Sequence, residues 1–158
     1  MRWAQACDGA GSEAWPRLLA DIGGTNARFA WRSQPAAPMT DMQVLTCADF
    51  AGPAEAIRAY LRDAQVPMPK SAALAMAVPV VTDWVQMTNS SWAFSIEALC
   101  ADLGLQKLLV LNDFTALALA LPTLCMHQLH DLGPALAGRE GPLALLGAGT
   151  GLGVSGLL

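Results

Sequence analysis

Residues 18–31 read Leu-Leu-Ala-Asp-Ile-Gly-Gly-Thr-Asn-Ala-Arg-Phe-Ala-Trp. Two short apolar runs, Leu18–Ile22 and Ala27–Trp31, flank a Gly-Gly-Thr-Asn turn, which predicts strand, tight turn, strand. Two glycines let the backbone reverse sharply and let a ligand approach it closely. Consecutive amides in such a turn form an anion-binding concavity, and Thr25 and Asn26 add short hydrogen-bonding side chains. Asp21 ends the first strand, where a carboxylate can hold Mg2+ through water. From these residues alone, an ordinary hairpin and a phosphate-binding turn both fit.

Working outward, Gln43–Cys47 is a third strand, so the chain opens as an antiparallel meander. The period then changes. Gly52-Pro53 opens a helix with Glu55 in its first turn, Ile57, Leu61 and Ala64 on one face, and Pro67 and Pro69 to stop it. Ala72–Val78 is a continuous apolar strand of the buried type. Residues 79–89 form a small hairpin or irregular excursion that turns at Thr82-Asp83. Ser95 caps a second helix carrying Ile96, Leu99, Cys100 and Leu103 on one face, with Gly104 past its end. Lys107–Leu111 is another buried strand, and Asn112-Asp113 caps a third helix with Phe114, Leu117, Ala118 and Leu121 on one side. After a loop-rich connection, Leu143–Leu146 and Val154–Leu158 are strands joined by the glycine-rich turn 147–153, Gly-Ala-Gly-Thr-Gly-Leu-Gly. The meander followed by alternating strands and helices gives an α/β fold with a mixed sheet.

The bulk numbers narrow the function. The chain has 158 residues, 54% apolar and 14% charged, with a net charge of −4. No Lys/Arg cluster favours a nucleic-acid backbone. No run approaches the ~20 apolar residues of a membrane span, and residues 1–16 lack the apolar segment of a secretory signal. Cys7, Cys47, Cys100 and Cys125 form no C-x-x-C pair and are expected as reduced thiols in a cytoplasmic protein. Cys125, His127 and His130 match no standard zinc spacing.

Two further motifs carry chemistry. The turn 147–153 has glycine at alternate positions with Thr150 among them, so it offers many amides and little bulk. It lacks the Lys of a P-loop and joins two strands where the dinucleotide fingerprint opens a helix. Asn112-Asp113-Phe114-Thr115-Ala116 lies at the carboxyl end of a buried strand, the edge where open α/β sheets bind ligands. A carboxylate there suits a general base, and it also suits a plain helix cap.

Together the three motifs are more specific than any one. The sequence resembles the bacterial glucokinases through Ala20–Arg28, the stretch 82–95 (TDWVQMTNSSWAFS), Asn112–Ala116 and Gly147–Val154, over about Pro16 to Leu158. The resemblance implies a ribonuclease-H-like (actin-like ATPase) domain with a mixed sheet, plus the start of a second such domain. It implies an irregular extension over 1–16, a first lobe over 17–122, and the beginning of the second lobe over 123–158. The implied reaction is ATP-dependent phosphorylation of glucose, with ATP and Mg2+ as cofactors and, for the intact enzyme, a second copy of the chain as a partner. Ala20, Asp21, Ile22, Gly23, Gly24 and Thr25 are implied to bind ATP phosphates, as are Gly147, Gly149, Thr150 and Gly151. Asn112 and Asp113 are implied to bind the sugar, with Asp113 as the catalytic base. Asp21 is the carboxylate implied for Mg2+.

The Glu-Gly-Gly-His segment and the adenosine-binding region that follow in the family pattern do not occur in these 158 residues. On the sequence alone, the chain is therefore expected to be a front portion that does not catalyse unaided. A non-catalytic truncated remnant and a sugar-sensing protein of the same fold are the alternative readings.

Overall fold

The computed structural model of the protein describes residues 14–130, 132–133, 141–148 and 152–157, and the backbone of 4–6. It divides into two compact units, Met1–Asp113 and Phe114–Leu158.

The first unit is built on one sheet in the order β1-β8-β5-β2-β3-β4. Its strands are β1 (Ala4–Ala6), β2 (Arg17–Ile22), β3 (Asn26–Arg32), β4 (Thr40–Thr46), β5 (Ser71–Met76) and β8 (Lys107–Asn112). A separate hairpin pairs β6 (Trp84–Gln86) with β7 (Ala93–Ser95). Strands β2, β5 and β8 run parallel, while β3, β4 and β1 are antiparallel to their neighbours, so the sheet is mixed as expected. The strand β1, paired with β8, lies inside the stretch expected to be irregular.

Helices α1 (Pro53–Asp63) and α2 (Ile96–Asp102) supply the layer that covers the sheet. Leu18 and Ile22 of β2, Leu74 and Met76 of β5, and Leu108 and Val110 of β8 alternate inward against Ile57 and Tyr60 of α1 and Leu99 of α2. The Tyr60 ring stacks on Phe29 of β3 with centroids 5.2 Å apart. Helix α2 has the ends its sequence calls for. The Ser95 hydroxyl accepts from the Ala98 amide at 3.0 Å, and Gly104 takes φ +63° just beyond the last turn. Helix α1 ends before the prolines expected to stop it. Its last turn closes at Ala64, and Gln65 leaves in the left-handed region at φ +56°.

Two expectations are corrected. The hairpin within 79–95 turns between Gln86 and Ala93, not at Thr82-Asp83. Asp83 instead caps α2 from outside it, its carboxylate accepting from the Glu97 amide at 2.8 Å and its carbonyl from the Ile96 amide at 2.9 Å. A helix start leaves orphan amides that a nearby carboxylate satisfies, and this outweighs turn propensity. Cys100 is disulfide-bonded, against the expectation of reduced thiols, whereas Cys47 and Cys125 are free.

The second unit contains α3 (Asp113–Ala120) from its second residue onward, and the antiparallel hairpin of β9 (Leu143–Ala148) and β10 (Leu152–Leu157). The division falls at the start of α3, ahead of the boundary after residue 122 expected from the sequence. Among the described residues no helix is long and apolar enough to cross a membrane.

Candidate functional site

The parallel register sets the site. Ile22 of β2 lies opposite Met76 of β5, and Met76 lies opposite Asn112 of β8. The three strands thus end level at their carboxyl ends. Two interstrand spacings put the end of β2 roughly 10 Å from the end of β8. The turn after β2 and the Asn112-Asp113 pair after β8 share this edge.

Residues Gly23–Thr25 form the turn. The Gly23 amide donates to the Asn26 carbonyl at 2.9 Å, closing the reversal between β2 and β3. The Gly23 amide is thereby spent inside the turn, whereas the Gly24 and Thr25 amides have no partner among the described residues. Cys47 braces the turn from one side. Its amide donates to the Thr25 carbonyl at 2.8 Å, and its thiol lies 3.5 Å from the Gly23 carbonyl. Burial pushes the Cys47 thiol above its ordinary range, so it stays protonated and acts as packing.

Ala20 and Ile22 are buried in the core beneath the turn. Asp21 points the other way and is exposed. Its Oδ2 takes an ion pair from Arg28 Nη1 at 3.0 Å across the β2–β3 register, and its Oδ1 has no partner among the described residues. Both side chains are more than half exposed, so this pair contributes little to stability.

At the other end of the edge, Asn112 closes β8 and Asp113 opens α3. The Asn112 side-chain amide donates to the Asp113 carboxylate at 2.8 Å and to the Val78 carbonyl at 3.2 Å. Both residues are half-buried. Asp113 is therefore a held carboxylate at the N-terminus of α3.

The loop between β6 and β7 was not assigned a role from sequence, yet it reaches the turn. A methyl group added at Gly24 would stand 2.6 Å from Asn89 Cβ and 3.0 Å from its carbonyl oxygen. Trp92 anchors this loop. It is fully buried, its indole N–H donates to the Phe50 carbonyl at 3.0 Å, and its carbonyl accepts from the Met87 amide at 2.9 Å. Trp92 and Phe94 pack on the core, while Trp84 is exposed.

In the second unit, Gly147 and Gly153 are cross-strand partners. A methyl group added at Gly147 would stand 2.6 Å from the Phe114 ring, and one at Gly153 would overlap that ring outright. These two glycines thus leave space for Phe114. Gly149, Thr150 and Gly151 lie outside the described residues.

A level sheet edge with a glycine hairpin at one strand end and a held Asn-Asp pair at another is the architecture of the sugar kinases in the ribonuclease-H-like, actin-like ATPase fold. The crystal structure of a glucokinase from an Antarctic psychrotroph superposes with a TM-score of 0.80 at 35% identity, over 90% of this chain and 46% of that one. The family model described as Glucokinase matches residues 18–158, and the chain belongs to that family. Among curated relatives, the glucokinase of Aromatoleum aromaticum is 51% identical over 150 residues, covering 93% of this chain and 45% of that protein. The "Bifunctional protein glk" of Paraburkholderia xenovorans is 50% identical over 155 residues, covering 98% of this chain and 24% of that protein. The chain thus spans less than half the length of the proteins it matches.

Proposed function

We propose that this protein contributes the first lobe, and part of the second, of an enzyme that phosphorylates glucose at the expense of ATP. One observation carries the reading most. The in-register ends of β2, β5 and β8 bring a turn with two amides unpartnered among the described residues to the same edge as a carboxylate oriented by a neighbouring amide. Family membership supplies the substrate class.

On this reading, the Gly24 and Thr25 amides hold phosphate oxygens, and the alternate-glycine turn around Gly149–Gly151 holds others from the second lobe. Asn112 and Asp113 bind the sugar. Asp113 accepts the proton of the 6-hydroxyl as its oxygen attacks the γ-phosphorus. The bond from that phosphorus to the β–γ bridging oxygen breaks, ADP leaves, and the proton passes from Asp113 to solvent. Catalysis of this kind rests on positioning and charge neutralisation.

Mg2+ bound with the nucleotide would neutralise phosphate charge. Among the described residues no three His, Cys, Asp or Glu side chains gather as a metal cage. Such an ion would be held mostly by phosphates and water, with the Asp21 carboxylate as the protein's contribution. The work is placed in the cytoplasm on family grounds, where the Cys100 disulfide would be reduced. Homodimer formation rests on the resemblance alone.

A chimera tests the proposal. This chain replaces the matching 150 residues of Aromatoleum aromaticum glucokinase, and glucose 6-phosphate is followed by a coupled assay. Formation that requires both ATP and glucose is expected. A soluble, folded chimera without turnover would refute the assignment of these residues.

A further inference from the structure

We propose that Asn89 is a positioning residue for the nucleotide, acting through Gly24. This rests on the reading of Gly23–Thr25 as a phosphate turn. The sequence explains Gly24 by close approach of a ligand, but the structure fills the space beside its Cα with protein. A side chain there would collide with Asn89 Cβ at 2.6 Å, Asn89 O at 3.0 Å and Asn89 C at 3.3 Å. Two of the three are main-chain atoms, so no rotamer change relieves the clash.

The loop that makes this contact is firmly rooted. Trp92 is buried at its base and bonded to the Phe50 carbonyl, and its amide is capped by the Ser90 hydroxyl at 3.3 Å. Its root at Met87 is also buried. Cys47 also holds the turn, through the Thr25 and Gly23 carbonyls. The turn is thus held at its carbonyls by Cys47 and covered at Gly24 by Asn89. Among the described residues the Gly24 and Thr25 amides have no partner, and Thr25 is exposed. Amides fixed before binding need no ordering when phosphate arrives, which is how preorganisation raises affinity.

The decisive feature of Asn89 is its Cβ and backbone, not its amide group, and this yields an unusual substitution pattern. Asn89→Ala keeps the contact, Asn89→Gly removes its nearest atom, and Gly24→Ala forces loop and turn apart. These three variants and Gly24→Ala/Asn89→Gly are compared with the parent chain by thermal unfolding, with and without Mg-ATP. The unfolding midpoints without nucleotide report the contact, and the ATP-induced shifts report affinity.

Asn89→Ala should bind ATP like the parent. Asn89→Gly should bind roughly three- to tenfold more weakly, and Gly24→Ala more weakly still. The double variant should recover part of the loss caused by Gly24→Ala, both in midpoint and in ATP response. Equal harm from Asn89→Ala and Asn89→Gly would overturn the proposal, because the amide group would then be the active part. Coupled midpoints with an unchanged ATP response would reduce the contact to packing and also overturn it. No ATP shift in the parent would refute the phosphate turn itself, and the positioning role with it.

Discussion

The Asn112 side chain bridges two strand ends, donating to the Asp113 carboxylate at 2.8 Å and to the Val78 carbonyl at 3.2 Å. One amide group therefore ties the proposed base to the chain leaving β5. This explains why an Asn-Asp pair, and not an Asp alone, stands at the end of β8.

Asn112→Ala removes both bonds. It takes the Asn112 amide away from the Asp113 carboxylate and leaves the buried Val78 residue with a carbonyl short of a partner. A hydrogen bond to a charged group is worth ~1.5–3 kcal/mol. In the active chimera kcat should fall by roughly ten- to a hundredfold, with a smaller change in the KM for ATP. Steady-state kinetics with both substrates varied checks this, and an unchanged kcat would deny Asn112 its orienting role.

Asp83 makes the start of α2 sensitive to acid. The Ser95 hydroxyl first, and the Glu97 backbone N–H second, hold the Asp83 carboxyl below the usual carboxylate range. A pKa depressed by folding gives stability that is present above the unfolded value and lost as pH falls through the folded one. The loss therefore lies below the ordinary aspartate pKa, in strongly acid solution. Asp83→Asn should flatten that part of the stability–pH curve and leave neutral stability changed only by a cap, about 0.5–2 kcal/mol. Denaturant titrations at pH 7 and in acid would measure it, and parallel curves for parent and variant would contradict the assignment.

Gly153→Ala places a methyl group into the Phe114 ring. Overpacking of this kind costs ~1–3 kcal/mol. The hairpin of β9 and β10 should be loosened, as read by amide hydrogen exchange across the Gly147–Gly153 pair. Phe114→Leu in the same chain should restore part of the protection. No change in exchange would show that the two glycines have a role other than making room for the ring.

Much of the fold was legible because its punctuation is local. Ser95 and Gly104 bound α2, Gly-Gly marks the β2–β3 reversal, and Pro53 starts α1, each within a few residues of what it controls. What escaped depends on distant partners. Asp83 read as a turn residue because the amide it caps is fourteen residues away. The true hairpin loop, Met87–Trp92, has no glycine to announce it. At the site, the motifs were visible but not their division of labour. Nothing in Gly-Gly-Thr says that the first amide closes the turn or that Asn89 covers the second glycine. Likewise, alternate glycines in 147–153 look equivalent in sequence, although Gly147 and Gly153 answer to Phe114.

The most direct test of the account is turnover after Asp113→Asn in the active chimera, with glucose binding measured separately. The substitution keeps size and hydrogen-bonding reach but removes the base. General-base catalysis contributes typically ~10²–10⁴-fold. The account predicts a loss of turnover in that range with glucose affinity within several-fold of the parent. Retention of more than about a tenth of the parent rate, against that expected range, would show that Asp113 only caps α3, and the proposed mechanism would fall.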